Sequence, residues 1–213
     1  MELRKHPAKF SQSILELLDE ILPNEGLFLD PFGGTGKIHR LGRNSVSLEI
    51  EPEWAQSSDL RTIIGNALCL PFAVKTFDCV CTSPTYGNRL ADHHEAKDNS
   101  WRASYKHMLG RMPNNASSAT LQWGETYRDF HKVAWREVKR VLKPDGLFAL
   151  NISNHIRNKK EMLVTEWHVE CCEDLGFKVE RWEKVDTPRM RMGANANVRV
   201  EYESVICFKQ TPM

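Results

Sequence analysis

Three short apolar runs break off at polar turns: GLFLD (26–30) before PFGGTG, SVSLEI (45–50) before EPEW, and TFDCVCT (76–82) before SPTYG. Apolar runs of this length, bounded by turn residues, read as buried strands. LRTII (60–64), LFALNIS (147–153), FKVERWEKV (177–185) and VEYESVICFK (200–209) read as further strands. Helical spacing separates them. Within residues 8–22, Ile14, Leu17, Leu18, Ile21 and Leu22 share one face, Ser11 is a candidate N-cap and Pro23 ends the run. KIHRLGR reads as a short helix. Residues 126–142 place Tyr127, Phe130, Val133, Ala134, Val138, Val141 and Leu142 on one side, and KPDG follows as a turn. Residues 160–175 read as a helix closed by Gly176. This alternation predicts an α/β protein: a single doubly wound, mostly parallel seven-stranded sheet with helices on both faces. The last two strands have no helix between them, so they should pair antiparallel at one edge.

The 213 residues fit one domain, 1–213, with residues 88–125 as an insertion. A loop that long inside a compact domain is usually functional. Hydrophobic residues make up 41% and charged residues 27%, enough to bury a core. MELRKHPAKF has no apolar run long enough for a signal peptide, and no segment reads as a membrane span. A cytoplasmic protein with no membrane partner is expected. The formal charge of +1 means that any surface for nucleic acid must be local. None of the six cysteines forms a C-x-x-C pair and their spacing matches no zinc site, so no metal is expected. Cys79 and Cys81 should face one packed layer as reduced, buried thiols.

Ligands of an open parallel sheet bind beyond the carboxyl ends of its strands. Three signals fall there. In LDPFGGTG (29–36), glycines let the backbone approach a ligand closely, as a dinucleotide or a nucleoside requires equally. Glu49 and Glu51 end the second strand, where a carboxylate can hold a ribose diol or simply stand as a solvated acid at a strand end. In GNALCLPF (65–72), Asn66 can bond an adenine amine through its side-chain carbonyl, or it can serve as a turn residue.

The order LDPFGGTG, SLEIEPEW, GNALCLPF and TSPTYG resembles the class I S-adenosylmethionine-dependent methyltransferases, and more narrowly the DNA amino-methyltransferases that make N4-methylcytosine or N6-methyladenine. HPAKFS (6–11) is similar to the segment that closes over the cofactor in that family. The resemblance implies a Rossmann-like fold and S-adenosyl-L-methionine as cofactor. It implies a cofactor site of Lys9, Phe10, Asp30, Pro31, Phe32, Gly33, Gly34, Thr35, Gly36, Glu49, Ile50, Asn66 and Ala67. It implies catalysis at the turn Ser83-Pro84-Thr85-Tyr86. There Ser83 and the Pro84 carbonyl would accept from the exocyclic amine of a flipped base, and Tyr86 would stack on that base. DNA is the expected partner, in a prokaryotic or phage setting. Two positions depart from the family pattern. Thr85 replaces the second proline of the turn, at some cost in rigidity, and Lys37-Ile38 replaces Thr-Thr after the cofactor loop. Thr85 also stands where cytosine C5 methylation commonly needs a cysteine nucleophile.

Arg89, Lys97, Arg102, Lys106 and Arg111, interleaved with Trp101, Tyr105 and three histidines and partly offset by Asp92, Glu95 and Asp98, suit phosphate contact and base stacking, with Thr85 beside the substrate; a charge-mixed solvated loop is the alternative. PRMRMGANANVRV (188–200) is a second basic stretch. RNA base methylation, and a catalytically silent cofactor-fold protein that binds nucleic acid, are the alternatives. The sequence defines no oligomeric state.

Overall fold

The computed structural model describes residue 6 and residues 10–57, 61–87, 104–187 and 197–210. Helix α1 (Gln12–Ile21) starts where expected. Ser11 Oγ accepts the Ile14 N–H at 3.3 Å, and the Leu22 N–H closes the last turn on the Leu18 carbonyl. Strands β1 (Leu27–Asp30) and β2 (Asn44–Glu49) follow, joined by the glycine loop and a 3-10 turn at Lys37–Leu41. A short helix α2 (Pro52–Gln56), invisible as periodicity, precedes β3 (Thr62–Ile64) and β4 (Phe77–Thr82). The described part of the insertion carries its own helix α3 (Tyr105–Leu109) and a 3-10 turn at Ser118–Thr120.

Helix α4 (Glu125–Val141) buries Tyr127, His131, Ala134, Trp135, Val138 and Val141. Val133, expected on this stripe, is 39% exposed, and Trp135 and His131 take its place. A 3.6-residue period starting from Tyr127 reaches positions 131, 134, 138 and 141 and turns 133 outward.

Strand β5 (Leu142–Ile152) begins five residues before the expected start. Its pairing jumps from Phe77↔Leu142 to Cys79↔Leu147, so the KPDG turn survives as an irregularity inside the strand. The helix expected from residue 160 starts at Val164 as α5 (Val164–Asp174). Residues before it form a hairpin, β6 (His155–Arg157) and β7 (Lys160–Met162), whose turn residues Asn158 and Lys159 both have positive φ, as a two-residue hairpin demands. Strands β8 (Phe177–Asp186) and β9 (Tyr202–Gln210) complete the chain.

The seven-stranded sheet has the order β3-β2-β1-β4-β5-β9-β8. Strands β1 to β5 run parallel, and β9 is antiparallel to both β5 and β8. The expected antiparallel pair therefore lies at one edge, with β9 inserted between β5 and β8. Alternate residues feed two cores. Leu29, Val80, Phe148, Leu150, Ile206 and Phe208 face α4 and α5. Phe28, Cys79, Cys81, Ala149, Val205 and Cys207 face α1. Five of the six free cysteines are buried, Cys79 and Cys81 among them as expected, and Cys69 is exposed in its turn.

The strand order reverses between β1 and β4, which opens a crevice beyond their carboxyl ends. Among the described residues, no helix is long and apolar enough to cross a membrane, and no group of three or more His, Cys, Asp or Glu residues could hold a metal ion.

Candidate active site

β1 ends in Asp30, whose carboxylate oxygen accepts the Phe32 N–H at 3.0 Å and the Thr82 hydroxyl at 2.5 Å. The carboxyl is nearly enclosed, and burial pushes its pKa up to about 7 against the pull of those two bonds. After Phe32 the loop runs close against β2. The Gly33 N–H donates to the Leu48 carbonyl at 2.7 Å, and a Cβ at Gly33 would stand 2.5 Å from the Ser47 Cβ. Gly34 and Gly36 take left-handed φ of 53° and 68°. His39 fixes the far side of the loop, bonding the hydroxyls of Ser45 at 2.7 Å and Ser47 at 3.1 Å.

The two glutamates at the end of β2 separate in role. Glu51 is fully buried and committed: it accepts the Asn114 N–H at 2.6 Å and Arg111 Nη2 at 2.7 Å, which anchors the insertion. Glu49 lines the cavity, and one of its oxygens accepts the Glu51 N–H at 2.8 Å. Burial pushes the Glu49 pKa up to about 7, with the negative Glu51 beside it adding to the rise. Asn66 Oδ1 accepts the Leu68 N–H at 2.9 Å, so its side chain forms the turn that was the alternative reading of this position.

The turn after β4 is held from several directions. Thr85 Oγ1 donates to Ser118 Oγ at 2.9 Å, and the Thr85 carbonyl accepts from Tyr127 Oη at 2.8 Å. Behind Tyr127 stands His168, which is fully buried. Trp135 Nε1 donates to His168 Nδ1 at 2.9 Å. That bond leaves the ring proton on Nε2, facing Tyr127 Oη at 3.0 Å. Burial depresses the His168 pKa strongly, which keeps the ring neutral. Tyr86 packs on the main core and also lines the cavity. Its hydroxyl donates to Glu203 Oε2 at 3.1 Å and lies 3.2 Å from Ser83 Oγ.

One cavity of about 470 Å³ joins these parts. Of the residues singled out in the sequence, it is lined by Phe10, Asp30, Pro31, Phe32, Gly33, Gly34, Thr35, Glu49, Ile50, Asn66, Ala67, Ser83, Pro84, Thr85 and Tyr86. Gly36 shapes the loop from behind, where a Cβ would meet the His39 ring at 2.7 Å. Lys106 sits half-buried on α3 and does not line the cavity. Lys9, Arg89, Arg102 and residues 188–196 lie outside the described residues.

Sequence reasoning missed several lining residues. Ser117 and Ser118 come from the insertion and Glu203 from β9, while Tyr105, named above among the stacking aromatics, also lines the cavity. Glu203 left one trace in the sequence: it shares strand parity with Val205 and Cys207, so it sets an acid beside two apolar residues on one face. His6 also lines the cavity. Its ring centroid lies 4.2 Å from that of Trp54 and 5.2 Å from that of Tyr105, which brings His6, α2 and the insertion together above Gly34.

The sheet order, the glycine loop after β1 and the acid after β2 define the class I methyltransferase fold. Solved structures agree with that fold. A protein from Pyrococcus horikoshii OT3 superposes with a TM-score of 0.59 at 18% identity, over 94% of this chain and 89% of that one. A SAM-dependent methyltransferase from Methanosarcina mazei gives 0.60 at 12% identity, over 92% and 98%. The 1,6-didemethyltoxoflavin-N1-methyltransferase of Burkholderia thailandensis, determined with S-adenosylhomocysteine, gives 0.52 at 15% identity, over 93% and 76%. No curated protein matches the chain. The family model of the N6/N4 methyltransferases, described as DNA methylase, matches residues 77–212. The chain belongs to this family.

Proposed function

We propose that the protein binds S-adenosylmethionine in the cavity and methylates the exocyclic amine of a nucleobase in DNA, cytosine N4 before adenine N6. The observation that carries this reading is the opening of the Ser83–Tyr86 turn into the same cavity as the Asp30–Gly34 loop and Glu49.

The residues present fit the cofactor. The volume lies within the range of about 300–1,000 Å³ usual for small-molecule sites. The glycine loop leaves no room for side chains, and the two carboxylates at the strand ends lie along the cavity wall. Glu49 would hold the ribose diol, Asp30 the methionine end, and Ile50 and Ala67 the adenine, with Asn66 shaping the adenine edge. When bound, the cofactor supplies a methyl group activated on a sulfonium.

The chain's own contribution is to make a poor nucleophile competent. The amine lone pair is delocalised into the base ring. Ser83 Oγ and the Pro84 carbonyl would accept from its two N–H bonds and stabilise the positive charge that develops on nitrogen. The Thr85 carbonyl is occupied by Tyr127, which leaves Pro84 to supply the second acceptor. The Tyr86 ring offers a stacking wall for a base extruded from its duplex. Lys106, with Arg89 and Arg102, is the proposed set of phosphate contacts.

The test incubates the purified protein with labelled S-adenosylmethionine and either DNA or RNA oligonucleotides, followed by mass spectrometry of the nucleosides. N4-methylcytosine or N6-methyladenine in DNA is the expected product. Methyl groups found only in RNA would reassign the substrate, and cofactor binding without transfer to either would leave a silent binding protein.

A further inference from the structure

Glu203 is 8% exposed, yet it lines the cavity beside the turn. It arrives from β9, the antiparallel strand, 117 residues after Tyr86. Asn151 Nδ2, from the neighbouring β5, donates to Glu203 Oε2 at 2.8 Å and also reaches Ser83 Oγ at 3.2 Å. Strands β5 and β9 thus deliver an amide and a carboxylate to the back of the two residues proposed to meet the base.

Asn151 Nδ2 also lies 3.4 Å from Tyr86 Oη, and with Glu203 as the acceptor one direction of the hydroxyls satisfies these contacts. Tyr86 spends its only proton on Glu203. The Ser83–Tyr86 contact must then run from Ser83 to Tyr86, since Tyr86 Oη has only lone pairs left to offer. Ser83 Oγ also receives Asn151 Nδ2. What remains on Ser83 is an acceptor lone pair, the polarity that an amine donor requires. Ser83 Oγ, Tyr86 Oη and Glu203 Oε2 therefore form a hydrogen-bonded chain from the cavity to a carboxylate.

We propose that Glu203 is the terminal proton acceptor of the methyl transfer, acting through Tyr86 and Ser83. This rests on the amine-methylation reading above. The amine nitrogen forms its bond to the methyl carbon as the carbon–sulfur bond breaks, and the sulfonium charge passes to nitrogen. The charged nitrogen gives one proton to Ser83 Oγ. The Ser83 proton moves to Tyr86 Oη, the Tyr86 proton moves to Glu203 Oε2, and a neutral methylamine remains. Asn151 is a positioning residue that holds the carboxylate and the serine in one line.

The experiment is single-turnover methylation under saturating cofactor by the full chain and by E203Q, E203D, Y86F and the double variant Y86F/E203Q. Dissociation constants for cofactor and oligonucleotide are measured in parallel. Gln keeps the shape of Glu203 and can accept from Tyr86 and Asn151 through its amide oxygen, but it cannot take the proton. E203Q should slow the step by about 100-fold, the scale of acid–base assistance, with both dissociation constants within about twofold of wild type. E203D, which keeps the carboxylate, should retain more activity than E203Q. Y86F cuts the relay in the middle while keeping the ring, so the double variant should be no slower than the slower single variant. Full activity in E203Q would overturn the relay, as would losses that multiply in the double variant. If E203D loses more than E203Q, Glu203 is a packing residue and the proposal fails. Wild-type protein that methylates no DNA or RNA overturns the amine-methylation reading and the relay with it, whereas an active wild type matched by E203Q overturns the relay alone.

Discussion

The hydroxyl of Thr85 donates to Ser118 Oγ across 2.9 Å, which ties the turn after β4 to the insertion. Proline at this position, the commoner residue in the resembling family, would stiffen the turn but forfeit this bond. Thr85 instead gains rigidity from outside, through Ser118 on its side chain and Tyr127 on its carbonyl.

Thr85→Pro is therefore expected to lower methyl transfer, although the family pattern alone suggests an unchanged or raised rate. A lost hydrogen bond of about 0.5–1.5 kcal/mol corresponds to roughly a 2- to 10-fold loss. Thr85→Ser should stay close to wild type because it keeps the hydroxyl. Initial rates on a DNA oligonucleotide compare the three proteins directly, and a faster Thr85→Pro would show that the Ser118 contact is idle.

The Trp135–His168–Tyr127 chain supports the same turn from the far layer. Tyr127→Phe leaves the His168 Nε2–H and the Thr85 carbonyl without this partner in a buried setting. Unmade buried bonds cost about 1–3 kcal/mol. Urea unfolding should show a loss of that size in Tyr127→Phe, with an unchanged slope against denaturant. A midpoint equal to that of wild type would mean that water or a rotated His168 replaces the phenol.

On the proposed reading, Glu49 would link cofactor binding to pH. Its pKa of about 7 in the cofactor-free protein means that it is largely protonated below neutrality. A ribose diol is held by the carboxylate form. Cofactor affinity should therefore rise as pH increases from 6 to 8 and fall away as pH drops through about 7. Glu49→Gln should bind about 1–3 kcal/mol more weakly at pH 8, with a smaller deficit at pH 6 and a shallower pH slope. Asp30, also raised to about 7, supplies the slope that remains. Without cofactor the stability contribution has the opposite sense. Between the ordinary carboxyl value of 4.5 and about 7, the native state keeps a proton that the unfolded chain has released. Glu49 therefore makes stability fall as pH rises through that window. Calorimetric titrations of both proteins at three pH values test the binding claim, and parallel slopes would remove Glu49 from the ribose.

Gly33→Ala tests the loop. Its Cβ would stand 2.5 Å from the Ser47 Cβ and 3.1 Å from the Leu48 carbonyl, a backbone clash that no side-chain rotation relieves. Overpacking of this kind costs about 1–3 kcal/mol, and the displaced loop should lose cofactor affinity. Gly42→Ala is the control for a left-handed glycine with nothing within 4 Å of its Cβ. It should lose some stability from its φ of 69° but keep its cofactor affinity.

The sequence by itself determined the strand alternation, the sheet class and most of the residues that line the cavity. Those features are local. Parity along a strand assigns Cys79 and Cys81 to one core and Val80 to the other, helical spacing marks α1 and most of α4, and glycines and prolines mark the turns at the strand ends. Only the tertiary structure separated Glu49, which lines the cavity, from Glu51, which Arg111 and Asn114 have already claimed. It placed β9 between β5 and β8, and so brought Asn151 and Glu203 behind Ser83 and Tyr86. It also paired Thr85 with Ser118 and Tyr127. Nothing near Glu203 in the chain reports that a phenol 117 residues away will meet its carboxylate. A hydrogen bond between distant segments leaves no period in either one, and whether an acid is buried depends on which strands the sheet sets beside it.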